Sequence, residues 1–403
     1  MPLSSSIRLA VRAAQAAAVA LSLYQAAVTL LGYVVPRKVT PSQSPQSPES
    51  LPTFAAVISA RNEERVIGDI LQDLENQEYP ADRLHVTVVA HNCTDSTAQI
   101  AECRGARVVI LDDGRAGKVA AMLAALENIP ASTYVAVFDA DARIPSKLMA
   151  IVAREISGRS ALQVETVPAL AHNRLEAAYG FGRESRNVLW WRPRSRLGLG
   201  TTLTGSGFFV RPALLEQLLP EIRAGTEDLE LTARLAIAGH TVAFTTATQA
   251  IVEEPAALSA SLNQRSRWVR GHMGTLLRTW PQLMLRAMRG DMRAFDLAIF
   301  MIAPTRVLTR AAVAFALLIR LLLPATSVPL VPIALAAAAE LIIPIVICAK
   351  TGILRLDRRG LGIVLEHVLL GFLWFPIGAW SIVTARRVAW SPVPRQRRGE
   401  RTV

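Results

Sequence analysis

Asp139-Ala140-Asp141 closes the apolar run Tyr134-Val135-Ala136-Val137-Phe138. A run of that length and composition predicts a buried strand in a sheet covered on both faces. A strand has no use for two carboxylates at its end. Open α/β sheets, however, bind ligands at the carboxyl ends of their strands, where side chains project into a crevice. Two hard oxygen ligands one residue apart suit a Mg²⁺ or Mn²⁺ that also takes phosphate oxygens. A solvated acidic turn would look the same if this motif stood alone, but further features fall at predicted strand or helix ends. Ser59-Ala60-Arg61-Asn62-Glu63 follows one strand and His91-Asn92-Cys93-Thr94-Asp95 another. Gly117-Lys118 opens a helix, where backbone N–H groups and a lysine can hold a diphosphate. Thr226-Glu227-Asp228 heads a later helix, a position that the helix dipole alone would favour for acidic residues. Gln264-Arg265-Ser266-Arg267-Trp268 lies beyond it.

The elements that must hold these residues follow from periodicity. Residues 54–58, 84–90, 108–111 and 134–138 read as strands. Between them lie a helix with Ile67, Ile70, Leu71 and Leu74 on one face, a helix over 95–103 capped by Thr94 or Asp95, and a helix over 118–126. Strands alternating with helices of this length predict an α/β fold with a doubly wound, mainly parallel sheet.

The chain has 403 residues, 51% of them hydrophobic, and a positive mean hydropathy, which is too apolar for an ordinary soluble enzyme. The excess sits at the two ends. Residues 13–35 form an uncharged stretch of about 23 residues, enough to cross a bilayer as a helix. It ends in Tyr33-Val34-Val35-Pro36 without a small-residue cleavage site, so it reads as a retained anchor rather than a signal peptide. Three more apolar segments follow at 295–323, 330–349 and 361–385. Pro304, Arg306 and Arg310 interrupt the first, whose early part reads as interfacial. Glu366, His367 and Pro376 in the third mark a kink or a face packed against protein. Roughly four spanning segments are expected.

The net charge of +12 is mostly arginine. Arg286, Arg289 and Arg293, then Lys350, Arg355, Arg358 and Arg359, flank the apolar segments and belong in the cytoplasm by the positive-inside rule. Their juxtamembrane placement favours membrane lipid headgroups over nucleic acid as the partner. The basic tail at 386–401 would emerge outside if one span precedes and three follow the central region. Either 361–385 is re-entrant or the rule fails there. Cys93, Cys103 and Cys348 lack metal-site spacing and read as free thiols in a reducing compartment. Residues 36–52, rich in Pro, Ser and Gln, read as a linker. The expected organisation is an anchor over 1–35, the linker, a cytoplasmic catalytic domain over 53–278, and a membrane region over 279–403. That last region comprises an interfacial helix, about three transmembrane segments and the basic tail.

From 53 to 268 this set of motifs, in this order, resembles the family 2 inverting glycosyltransferases of GT-A fold. Within them it is similar to the membrane-embedded synthases of cellulose, hyaluronan, chitin oligosaccharides and poly-N-acetylglucosamine. D-x-D alone is a weak signal; D-x-D, T-E-D and Q-x-x-R-W in register beside membrane segments are a specific one. The resemblance implies a GT-A sheet flanked by transmembrane and interfacial helices, in the plasma membrane, with the catalytic domain on the cytoplasmic side where nucleotide sugars are made. It makes Asp141 the metal ligand, with Asp139 nearer the ribose or sugar, and the ion a Lewis acid on the departing phosphate. Lys118 and Arg267 would share that charge. Ser59, Arg61, Asn62, Glu63, His91 and Gln264 would line the donor site. Asp228, beside Glu227, would be the general base that takes the acceptor's proton. Trp268 would offer a flat face to an acceptor sugar. Gly205 and Ser206 match the place where the family's backbone approaches the acceptor.

One departure matters. Most relatives place an acidic pair, one of whose carboxylates contacts uracil, where Ala90-His91 stands here. A UDP-sugar donor is still expected, with a GDP-sugar as its rival. The implied reaction is transfer of GlcNAc or Glc to a saccharide acceptor, giving a β-linked oligosaccharide or polysaccharide. The alternative is a single transfer to a lipid-linked or polyol acceptor. A silent membrane scaffold is a third reading, against which intact Asp139, Asp141, Asp228, Arg267 and Trp268 argue. About four spans are few for a sugar-wide channel. A long polymer would therefore need a second copy of the chain or an export partner, and a short oligosaccharide would not.

Overall fold

The computed structural model describes residues 4–35, 51–112, 117–223, 225–302, 306–373 and 376–378. Most of the expected linker, the end of the third apolar segment and the whole basic tail lie outside the described residues.

Seven strands form one sheet: β1 (Phe54–Ala60), β2 (Leu84–His91), β3 (Arg107–Leu111), β4 (Tyr134–Asp139), β5 (Ala161–Pro168), β6 (Phe208–Val210) and β7 (Val242–Val252). Their order is β3-β2-β1-β4-β6-β5-β7. All neighbours are parallel except β6, which runs antiparallel to β4 and β5. Helices α1 (Ser5–Val34), α2 (Ile67–Glu75), α3 (Thr97–Cys103), α4 (Lys118–Leu126) and α5 (Leu148–Glu155) fall in the first half of the chain. They are followed by α6 (Arg174–Arg186), α7 (Arg192–Arg196), α8 (Pro212–Leu218), α9 (Glu227–Ile237) and α10 (Leu258–Met288). The last four are α11 (Met292–Ile302), α12 (Arg306–Leu322), α13 (Leu330–Lys350) and α14 (Arg358–Phe372).

The apolar strand runs are continuous because both faces of the sheet are covered. One face packs Ile67, Leu71, Leu148 and Met149; the other packs Met122, Leu215, Leu231 and Leu235. This is the doubly wound arrangement that the sequence predicts. Two strands run further than their patterns, to Ala60 and His91, and so carry site residues to the sheet edge. α3 starts two residues later than expected, with Ser96 as its cap residue. Asp95 still serves the helix start, accepting from Thr97 N at 3.1 Å. α10 runs unbroken past residue 278, the expected domain boundary, with Pro281 inside it.

Among the described residues three helices are long and apolar enough to cross a membrane: α1, α13, and a helix over Arg358–Gly378 that contains α14. α11 and α12 make a fourth span only if taken together, and they are bent by 71° relative to each other; Pro304 lies outside the described residues. Polar side chains on these helices face one another, as an apolar surrounding requires. Ser22 donates to Glu340 Oε1 at 3.1 Å, and Arg306 Nη2 donates to Thr29 Oγ1 at 2.8 Å.

α1 is also fastened to the sheet domain. Arg194 of α7 donates to both oxygens of Asp296 in α11 at 2.8 and 3.0 Å, and the Tyr24 hydroxyl donates to that same carboxylate at 2.9 Å. A buried pair of this kind is weak evidence for stability but fixes register, because any other arrangement leaves a charge unpaired in the interior. A single network thus holds one candidate membrane helix, one helix of the sheet domain and α11 together.

Candidate active site

Parallel pairing of β1 with β4 places Ser59 beside Asp139 at the carboxyl edge of the sheet. Beyond that edge lies a cavity of about 1770 Å³. Its wall includes Ser59, Arg61, Asn62, Glu63, His91 and Lys118 from the strand and helix ends. Asp139, Asp141, Gly205, Glu227 and Asp228 line it too, as do Gln264, Arg267 and Trp268 of α10. Residues far apart in sequence therefore meet in one space, as their motifs predict. Ser206 differs. It is 1% exposed and sits behind the wall, where its hydroxyl accepts from Asp139 N at 3.0 Å, so it orients the carboxylate motif instead of facing the cavity.

The loops at the sheet edge brace one another. Asn62, with φ of 56°, accepts from Thr94 N at 2.8 Å, and Glu63 N donates to Thr97 Oγ1 at 2.8 Å. Burial, then the charge of Arg61, holds the His91 imidazole below its ordinary pKa, so it is neutral at pH 7.

Gly117, with φ of 106°, turns the chain into α4 and delivers Lys118 to the cavity. The ammonium donates to Asp139 Oδ1 at 2.7 Å and to the carbonyl of Gly205. Burial works against its charge, but Asp139 and Glu227 outweigh burial and hold its pKa above the ordinary lysine value. A cation so held offers a fixed charge to an incoming diphosphate.

The strand-end loop at 204–207 is held by a residue that the sequence reading misses. Gln163 of β5 is fully buried; its Oε1 accepts from Thr204 N at 2.9 Å, and its Nε2 donates to the Ser206 carbonyl at 2.9 Å. The loop needs glycine twice. Gly205 has φ of 82°, and a Cβ there would lie 3.7 Å from Asp228 Oδ2 and 3.9 Å from Asp139 Oδ2, so a side chain would fill the space between the two carboxylates. Gly207 has φ of 68°, and its Cβ would lie 2.7 Å from Val164 Cγ2. Gly207→Ala is expected to cost about 1–3 kcal/mol through backbone strain, before any cost of that contact. A melting temperature in detergent equal to that of the parent would contradict this.

Asp228 stands in the first turn of α9, where its Oδ1 accepts from Leu229 N at 2.8 Å. Desolvation, then the charge of Glu227, pushes its carboxyl up to about 7, against the Leu229 N–H and the charge of Lys118. The helix is fixed from behind. Thr232 Oγ1 accepts from Leu203 N at 2.9 Å, and the fully buried Glu230 pairs with Arg234 at 2.8 Å and Arg278 at 2.9 Å. α10 presses on the same turn, since a Cβ on Gly271 would lie 2.5 Å from Thr226 Oγ1. The arrangement offers a carboxyl group poised to exchange a proton near neutral pH, opposite a fixed ammonium and a carboxylate pair.

Among the described residues no group of three or more His, Cys, Asp or Glu could hold a metal ion unaided. Asp139 and Asp141 nevertheless fit a hard cation that completes its shell with substrate phosphate and water, as Mg²⁺ commonly does. The Asp139 side chain is 42% exposed, which leaves room for such a shell.

Residues 52–271 match the model of a family described as glycosyltransferase like family 2. The chain belongs to glycosyltransferase family 2, and its seven-stranded sheet is that of a GT-A fold. Among curated proteins it is 30% identical over 267 residues to a beta-monoglucosyldiacylglycerol synthase of Nostoc sp., covering 63% of this chain and 56% of that protein. It is 29% identical over 280 residues to the protein of the same name in Synechocystis sp., covering 66% of this chain and 58% of the relative. The chain thus spans little more than half the length of the curated relatives it matches. Among solved structures it resembles a mannosyltransferase, PcManGT, from Pyrobaculum calidifontis, in complex with GDP-Man and Mn²⁺. That likeness has a TM-score of 0.56 at 18% identity and covers 91% of this chain and 99% of the other.

Proposed function

We propose that this protein is a membrane-bound inverting glycosyltransferase that transfers one hexose from a nucleotide-diphosphate sugar to a hydroxyl group of a lipid. The observation that carries this reading is the reach of the cavity. It begins at Lys118, Asp139 and Asp228 and continues to Val307 and Arg310 of α12 and to Leu370 of α14. An acceptor entering from the bilayer would have an unbroken path to the carboxylates. The names of the curated relatives point the same way, towards a diacylglycerol acceptor and a glucosyl donor. The lipid alternative therefore takes precedence over the saccharide-chain product that the motifs alone favour. UDP-glucose is the first donor to test.

In this reading Asp228 accepts the proton of the lipid hydroxyl as its oxygen attacks the anomeric carbon. The bond from that carbon to the diphosphate breaks in the same displacement, inverting the configuration. Lys118 and Arg267 meet the charge left on the diphosphate, and Ser59, Arg61, Asn62, Glu63, His91 and Gln264 enclose the nucleotide sugar. Asp141, with Asp139, would hold a Mg²⁺ or Mn²⁺, whose positive charge makes the diphosphate a better leaving group. Trp268 and the backbone at Gly205 flank the place where acceptor and sugar meet. The catalytic domain faces the cytoplasm, with α1, α13 and α14 in the bilayer.

Narrowing the membrane end tests the path. Leu370→Trp is expected to depress transfer to lipid while nucleotide-sugar binding, read by calorimetry on the purified full chain, stays at the parent value. Undiminished glycolipid synthesis by a folded Leu370→Trp variant would remove the cavity from the argument.

A further inference from the structure

The membrane end of the cavity carries positive charge in excess of its partners. Arg306 is 7% exposed and lines the cavity. Its Nη2 is bonded to Thr29, but its Nε and Nη1 have no hydrogen-bond partner among the described residues. Arg310, one turn on, also lines the cavity, and its Nε is likewise without a hydrogen bond. Both guanidiniums approach one carboxylate oxygen, Glu340 Oε2, at 3.5 and 3.8 Å, so one negative charge faces two positive ones.

Arg186, the last residue of α6, adds a third. Its side chain lines the cavity and has neither a hydrogen bond nor an ion pair among the described residues. That side chain is exposed to the cavity, where Arg183 and Arg265 add to the positive charge around it and Glu254 and Asp228 oppose it. α6 packs against this end of the cavity, since His367 Nδ1 of α14 lies 3.1 Å from the Ala178 carbonyl and Cys348 Sγ of α13 lies 3.9 Å from Ser185 Oγ, next to Arg186. The buried Arg306 guanidinium requires counter-charge, and the planar fork of an arginine matches a phosphate. The apolar wall beside them, Val307 and Leu370, suits acyl chains.

We propose that the lipid acceptor is a phospholipid, carrying a phosphate next to the hydroxyl that receives the sugar, and that Arg186, Arg306 and Arg310 bind this phosphate. This rests on the lipid-acceptor reading and narrows it, because a neutral diacylglycerol would leave Glu340 as the one carboxylate paired with these arginines among the described residues and their remaining positive charge unmatched. The phosphate would anchor the headgroup at the cavity's membrane end and leave its hydroxyl extending towards Asp228. Arg186 is the residue to vary, since it lies outside the membrane helices and supports no neighbour through a hydrogen bond.

The test uses the full chain in detergent with radiolabelled UDP-glucose and three acceptors: phosphatidylglycerol, diacylglycerol and water-soluble glycerol 3-phosphate. The quantity read is the ratio of kcat/KM for phosphatidylglycerol to that for diacylglycerol, which cancels any loss of folded protein. The ratio is expected to exceed one in the parent, to fall roughly 10- to 100-fold in Arg186→Gln, the worth of one charge-assisted bond, and to recover partly in Arg186→Lys. A preference for diacylglycerol, or a ratio that Arg186→Gln leaves unmoved, would overturn the phosphate proposal while leaving the glycolipid reading intact. Glycerol 3-phosphate labelled as well as the phospholipid would show a phosphate site that does not serve a lipid, and would also overturn it. Elongation of a saccharide, with no lipid labelled in any arm, would bring down the reading on which it rests.

Discussion

Asp228→Asn is expected to lower turnover by roughly 10²–10⁴-fold, the usual worth of a general base. Asparagine keeps the size and polarity of the side chain but cannot take the acceptor's proton. Nucleotide-sugar affinity should survive, because Lys118, Asp139 and Asp141 are untouched. The same substitution should raise the melting temperature near neutral pH. A carboxyl whose folded pKa is raised binds its proton more tightly when folded, so its contribution to stability is full below the unfolded value near 4. That contribution is lost as pH rises through about 7. Asparagine removes the titration and hence the loss. In the parent, kcat/KM should rise with pH and level off above about 7, because the reactive form is the ionised one. A steady-state pH profile and a thermal melt check both halves. If affinity for the nucleotide collapsed while turnover persisted, Asp228 would be a donor ligand and the assignment would fail.

Removing the divalent ion should be nearly as damaging. Charge stabilisation of a departing diphosphate by a bound cation is worth several kcal/mol, about 10³-fold in rate. Excess EDTA should therefore abolish transfer, restored Mg²⁺ or Mn²⁺ should return it, and Asp141→Ala should reproduce the chelated state without being rescued by either ion. Full activity in EDTA, measured by release of labelled nucleotide, would sink the role given to Asp139 and Asp141.

How far the sequence reaches is set by which residues carry a periodic or positional signal. β1 to β4 are legible because their runs are apolar on both faces and end in polar motifs, and α4 because Gly117-Lys118 marks its start. The second half of the sheet is not legible in this way. β6 is three residues long and antiparallel, held by its neighbours rather than by a pattern of its own. Ser206 looks like its loop neighbours in sequence, and only the fold turns its hydroxyl towards Asp139 N. Gln163 could be suspected from sequence as the one polar side chain in Ala161-Leu162-Gln163-Val164. Arg186 could not, because Arg183-Glu184-Ser185-Arg186 reads as the solvated face of a helix. The candidate membrane helices are legible by length and hydropathy, and the bend between α11 and α12 by the interruption of that hydropathy. The contacts of Tyr24 and Thr29 with residues some 280 positions away are not, since a buried polar group in an apolar helix does not name its partner.

Delivery of one hexose to a lipid distinguishes this enzyme from a saccharide-elongating one. The decisive measurement is to incubate the purified full chain with radiolabelled UDP-glucose, Mg²⁺, extracted membrane lipids and soluble saccharides together, then to partition the label between organic and aqueous phases. Label is expected in the organic phase, on a product whose mass exceeds that of its parent lipid by one hexose and whose sugar is β-linked. Label confined to the aqueous phase, on saccharide of increasing length, would contradict delivery to a lipid.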